Sequence, residues 1–263
     1  MSTESAGADT GSVGGSKLRA VVVAFGLAVL GFALAIPVGV VVANAYVAAT
    51  GSELGDVALL GLSLVSLQGI AFPLTAWLYV RYRGVGWDYV PASVPDRSDL
   101  KYVVGAYVGA FAALYAISAV LAVTSTEAAS NTGATTALEN PEIIPYMIPL
   151  NLLLIGPGEE LLFRGVLQRR LRERFSAWPA ILLASMAFAP LHIFALSGSL
   201  SAAAVTIGIL FVPSIAFGYI YEQTGNIVVP ALTHGLYNAT LFALMWVVVA
   251  FGPESATALL AVP

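Results

Sequence analysis

The sequence predicts an all-α membrane protein, a helical bundle of about seven spans. Three observations predict it. Charged residues make up only 10% of the chain and apolar ones 59%, whereas a soluble domain carries roughly 25% charged residues. The apolar residues are gathered into long runs, and mean hydropathy is +0.88. A bilayer-crossing helix needs ~20 mostly apolar residues, and windows of that length recur seven times.

In order, the predicted spans are about Ala20–Ala48, Val57–Val80, Tyr102–Val123, Ile143–Leu167, Trp178–Leu196, Leu200–Tyr221 and Ile227–Phe251. Six to eight spans fit, because Pro230 and the polar middle of the last window predict a break there. Residues 1–16 are rich in Ser, Gly, Thr and Ala and read as a disordered tail; 17–253 read as a single membrane domain, and 254–263 as a short tail. The first apolar run exceeds the ~7–15 residues of a signal-peptide core, which predicts a retained span.

Lys17, Arg19, Arg81, Arg83, Arg97, Lys101, Arg169, Arg170, Arg172 and Arg174 all fall on one side of such a bundle. The positive-inside rule then predicts a cytoplasmic N-terminus, in an integral protein of the cell membrane. These bases report topology and form no nucleic-acid footprint. Two connections stand out. Thr124–Asn140 is polar, and Asn140-Pro141 after it reads as a helix start, with Asn as N-cap. Arg81–Lys101 reads as a plain loop, with an interfacial segment as the alternative.

There are no cysteines and two histidines. Thiolate chemistry, disulfides and Cys-ligated metals are therefore excluded, and any imidazole chemistry must use His192 or His234. The sharpest feature is Gly156-Pro157-Gly158-Glu159-Glu160-Leu161-Leu162-Phe163-Arg164, with two acids and a base inside an apolar run. A charge there costs at least ~2.5–3.5 kcal/mol on insertion scales. Glu160 and Arg164 stand at i,i+4, where side chains meet, so they predict an ion pair that leaves Glu159 without a local partner. The plainer reading is a buried ion cluster that ties helices together.

Phe188-Ala189-Pro190-Leu191-His192 lies in the fifth span. Counting ~1.5 Å per residue from the turn near Ser176 puts Glu159 and His192 both ~24–26 Å deep. They are thus expected on adjacent helices at similar depth, a plausible acid/base pair; the plainer alternative is a satisfied core histidine. His234 and Asn238, four apart on one helix face, are both hydrogen-bond donors and read equally well as a polar interhelical contact. The same count puts His234 only ~14 Å deep, short of Glu159 unless its turn is sunk into the protein. Pro157, Pro190 and Pro230 each precede one of these clusters, and they predict kinks and opened backbone around a water-holding cavity.

Glu159-Glu160-x-x-x-Arg164, Phe188-x-x-x-His192 and His234-x-x-x-Asn238, in that order, resemble the motifs of the CPBP intramembrane protease family. That family includes type II CAAX prenyl endopeptidases and abortive-infection and bacteriocin-processing proteins. The resemblance covers about 143–251. It implies peptide-bond hydrolysis in a membrane-anchored, prenylated CAAX-type or other membrane-associated substrate, among membrane lipid. It also implies that Glu159 and His192 activate water, that His234 and Asn238 stabilise the oxyanion, and that Glu160, Arg164 and Phe188 support the site. No cofactor is favoured. Zinc is the alternative, held by Glu159, His192 and His234, although the His-Glu-x-x-His signature is absent. A non-catalytic binding or immunity protein and a proton-coupled transporter are the competing classes; no internal repeat supports the transporter.

Overall fold

The computed structural model describes residues 11–253. It is a helical bundle with helices α1 (Gly11–Thr50), α2 (Asp56–Arg83), α3 (Arg97–Thr124), α4 (Thr132–Glu139), α5 (141–172), α6 (Ala177–Ala195), α7 (Leu200–Thr224) and α8 (Val228–Phe251). Six of them, all but α4 and α5, are long and apolar enough to cross a membrane. The predicted fourth span is α5, a continuous helical run interrupted by π-turns at Asn151–Ile155 and Leu161–Gln168. Residues 1–10, most of the expected tail, lie outside the described residues, as does 254–263. Residues 11–16, the rest of that tail, belong to α1.

α5 is the central helix. Every residue from Leu162 to Gln168 is buried, including Arg164 and Gln168. A helix buried all round needs no amphipathic stripe. α1, α2, α6, α7 and α8 surround it. A chain of aromatic contacts crosses the core from Phe32 to Phe72, Phe163 and Phe188, with ring centroids 4.9–5.6 Å apart.

The prolines act differently from one another. Pro157 follows the π-turn at Asn151–Ile155, where a wider turn absorbs its missing N–H and its clash with the carbonyl four residues back. At Pro190, α6 tightens into a 3-10 turn, Ala189–Ala195. Pro230 makes no kink, and α8 is not broken. It lies in the first turn of α8, where backbone N–H groups have no intrahelical acceptor to lose.

The helix ends that carry the basic residues gather at one end of the bundle. Arg83 bonds Glu173 at 3.2 Å, Tyr89 donates to Glu173 at 2.8 Å, and Arg172 bonds Glu222 at 2.8 Å. Tyr221 is buried, Glu222 is paired with Arg172, and Tyr219 is exposed. The 84–96 segment is no plain loop. It carries a 3-10 turn, Trp87–Tyr89, buries Val90, and then starts α3 with a capping box of Asp96 and Asp99. At the opposite end, β1 (Ser130–Asn131) pairs antiparallel with β2 (Leu196–Ser197). Asn131 caps α4. Asn140 does not cap α5; its amide donates back to Thr136 O at 2.9 Å.

Candidate active site in the membrane core

The site is built where α5 is squeezed between α2 and α8. Gly156 faces α8: a Cβ there would lie 2.7 Å from Ala231 O and 2.9 Å from Gly235 N. Gly235 presses back, its Cβ position 2.9 Å from Asn151 O. Gly158 faces α2, and a Cβ there would overlap the carbonyl of Gln68. Small residues allow this backbone approach between membrane helices, and each crossing delivers a polar side chain to one of the two acids.

On the α8 side, His234 Nδ1 meets Glu160 Oε1 at 2.8 Å. Arg164 Nη1 donates to the same oxygen at 3.0 Å, and its Nη2 donates to Ser214 O at 2.9 Å and Ser214 Oγ at 2.8 Å. The guanidinium lies 4.9 Å from the centre of the Phe188 ring and 5.8 Å from that of Phe217. Glu160 is 0% exposed and Arg164 1%, so this pair is tolerable in hydrocarbon only because each charge is met by the other and by hydrogen bonds. A carboxylate oxygen accepts, so His234 Nδ1 donates to Glu160. Its Nε2 is thereby turned towards Glu159 Oε2, at 3.8 Å, a separation at which one water bridges polar groups.

On the α2 side, Gln68 Nε2 donates to Glu159 Oε1 at 3.2 Å, and both residues are buried. Glu159 therefore has partners, although none on its own helix. The two acids diverge as their ~100° separation on a helix requires.

The histidines are reached differently from the sequence expectation. His234 attains the depth of Glu159 because its turn is sunk into the protein. Asn226 and Ile227 are buried under the 84–96 segment. Ser93 N–H donates to Asn226 Oδ1 at 3.1 Å, Asn226 Nδ2 to Ser93 O at 3.0 Å, and Ile227 N–H to Pro91 O at 2.9 Å. Val90 and Ile227 both flank Gly165. Glu159 lies six residues before Gly165 and His234 seven after Ile227 on an antiparallel helix, distances of ~9 and ~10 Å. His192, by contrast, makes no hydrogen bond or ion pair with Glu159 among the described residues. It lies in the 3-10 turn Ala189–Ala195. Its ring packs edge-on against Phe188 at 4.7 Å, and its Nδ1 is buried without a hydrogen-bond partner. Phe188 also meets the edge of His234, at 6.2 Å, so both imidazoles share one aromatic partner. His234 itself stacks on Phe217 at 4.7 Å. Asn238 is half-buried one turn beyond His234, with no side-chain hydrogen bond among the described residues.

Glu159, Glu160, Arg164, Phe188 and His234 are thus brought together; His192 joins them through Phe188. Gln68 and Ser214 were missed. A single Gln or Ser in an apolar span was their only signal. As for zinc, no group of three His, Asp or Glu side chains among the described residues is arranged to hold a metal ion. Glu159, His192 and His234 do not form a ligand set in this arrangement.

This cluster, two acids with an imidazole between them, lies at the centre of an integral membrane protein. Residues 141–240 match the family model of the type II CAAX prenyl endopeptidase Rce1-like proteins, which bears out the resemblance read from the three motifs. A stretch of 96 residues is 41% identical to "Uncharacterized protein YpbD" of Bacillus subtilis (strain 168), covering 36% of this chain and 43% of that protein. The chain thus matches under half the length of this curated relative. No solved structure matches.

Proposed function

We propose that this protein is an intramembrane endopeptidase that hydrolyses a peptide bond in a membrane-associated substrate, with prenylated CAAX-type peptides the first to test. One observation carries the reading: of two adjacent buried acids, Glu160 is neutralised by Arg164 while Glu159 faces a histidine nitrogen across 3.8 Å. The family match to type II CAAX prenyl endopeptidases supports both the reaction class and the substrate class.

In the mechanism, Glu159 Oε2 takes a proton from water as its oxygen bonds to the substrate carbonyl carbon, and the carbonyl electron pair moves onto oxygen. The C–N bond then breaks, and the proton passes from Glu159 to the leaving nitrogen. His234, oriented through Nδ1 by Glu160 and Arg164, is the imidazole nearest to Glu159. The geometry therefore favours His234 over His192 as the partner of the water. Asn238 and His192 are left as donors for the oxyanion, where one donor is worth ~2.7–4 kcal/mol. The resemblance assigns the two histidines the other way round. The reaction as drawn uses no metal.

The test is cleavage by full-length protein reconstituted in lipid vesicles, offered prenylated CAAX-type peptides and a library of membrane-anchored peptides. Wild type is expected to cut, Glu159→Gln to be inactive, and a strong chelator to leave the rate unchanged. Absence of any cleavage by wild type would sink the proposal in favour of a binding or immunity protein, and equal cleavage by Glu159→Gln would overturn the mechanism through Glu159. Loss of activity in chelator that is restored by zinc would overturn only the metal-free mechanism.

A further inference from the structure

We infer that Gln68, on α2 and outside the segment that matches the family, is a positioning residue that sets the orientation of the Glu159 carboxylate. The inference rests on the proteolytic reading above. Gln68 Nε2 donates to Glu159 Oε1 at 3.2 Å, and Gln68 is 8% exposed. This contact is built into the backbone. Gln68 lies in the π-turn Val65–Ala71, and its carbonyl carbon is 2.9 Å from where a Cβ on residue 158 would sit. The turn of α2 that carries Gln68 is therefore pressed on the turn of α5 that carries Glu159. π-turns inside α-helices recur at functional sites, because the extra residue re-aims a side chain.

The consequence concerns which oxygen reacts. The terminal torsion of a glutamate is broad and roughly two-fold, so an unheld carboxylate exchanges its oxygens. With Oε1 held by Gln68, Oε2 is the oxygen presented to His234 Nε2, at 3.8 Å. The other end of the amide, Gln68 Oε1, is buried without a hydrogen-bond partner. Gln68 thus acts through Glu159 and takes no proton itself.

The test uses Gln68→Met, which keeps length and burial and removes the donor, in the full-length protein. Expected are a fall in kcat of about 10- to 100-fold, the scale of a lost reactive alignment, an unchanged KM and an unchanged unfolding midpoint. A second readout needs no cleavage. In infrared difference spectra, the carboxylate band that disappears in Glu159→Gln is expected to move in Gln68→Met. Unchanged kcat in Gln68→Met overturns the inference. So does a loss of kcat that comes with a lowered unfolding midpoint and an unmoved carboxylate band, which would make Gln68 only a packing residue. If wild type cuts nothing, the proteolytic reading falls by itself, and the band still decides whether Gln68 holds Glu159.

Discussion

Replacing Gly156 by alanine adds one methyl group at the crossing that delivers His234 to Glu160. The new Cβ would lie 2.7 Å from Ala231 O, 2.9 Å from Gly235 N and 3.1 Å from Asn151 O. All three are backbone atoms, so no side-chain rotation relieves the contact. Reaching a favourable separation of ~3.5 Å requires α5 and α8 to part by about 0.8 Å. The His234–Glu160 hydrogen bond, 2.8 Å in the structure, would then open to about 3.6 Å, which is no longer a hydrogen bond. Overpacking of this kind costs ~1–3 kcal/mol, and the better helix propensity of alanine returns ~0.8–1.0 kcal/mol. The net loss of stability is therefore small, about 0–2 kcal/mol. The loss of activity is not, because a 1 Å misplacement of a catalytic group costs on the order of 10²-fold. Gly105→Ala is the control, since a Cβ there meets nothing within 4 Å and should leave both properties intact. Unfolding midpoints in detergent and cleavage rates in vesicles read the two effects. Wild-type cleavage by Gly156→Ala would refute the glycine crossing as the device that sets the site.

Two further outcomes are expected. Arg164→Met leaves Glu160 buried without its base, which costs about 3–5 kcal/mol, and Glu160→Gln in the same chain should restore part of the lost unfolding midpoint; a double variant no better than the single would argue against the pair as drawn. At the basic end, partial burial pushes the Glu173 carboxyl up, but the Tyr89 hydroxyl, Arg83 and Arg170 outweigh it and hold the carboxyl below its ordinary value of 4.5. A carboxyl lowered by folding stabilises the folded state at pH above the unfolded value, and that contribution is lost as pH falls through the folded value. Hydrogen exchange at Trp87–Val90 should therefore rise as pH drops below about 4.5, relative to a reference amide and after correction for intrinsic rates, and Glu173→Gln should remove that dependence.

The spans and the Glu160–Arg164 pair are legible from local sequence, whereas the cap expected at Asn140 and the break expected at Pro230 are not formed. Each predicted span coincides with a helix, because length and hydropathy suffice in lipid, and Glu160–Arg164 follows from i,i+4 spacing alone. Other features depend on distant parts of the chain. The depth of His234 is set by residues 84–96, which bury the Asn226 turn through bonds more than a hundred residues apart in sequence. At His192 an even helical rise does not hold, because the helix from Ala189 to Ala195 is 3-10. Gln68 was invisible, since one glutamine among apolar residues does not say which helix it meets. The helix α4 and β1 lie in a polar connection whose composition resembles a loop, and β2 lies in the short link after α6.

Gly156-Pro157-Gly158-Glu159-Glu160 is best understood as a two-sided device. Residues 156 and 158 point about 200° apart on a helix, and 159 and 160 about 100° apart. Gly156 admits the backbone of α8 and so brings His234 to Glu160; Gly158 admits the backbone of α2 and so brings Gln68 to Glu159. The acids alone would not define the site, because their roles are assigned by what each glycine lets in. It follows that α2, which lies outside the family-matched residues, is part of the machinery. A fragment limited to 141–240 would lose the only hydrogen bond that Glu159 makes among the described residues, together with the 84–96 segment that seats the turn before His234.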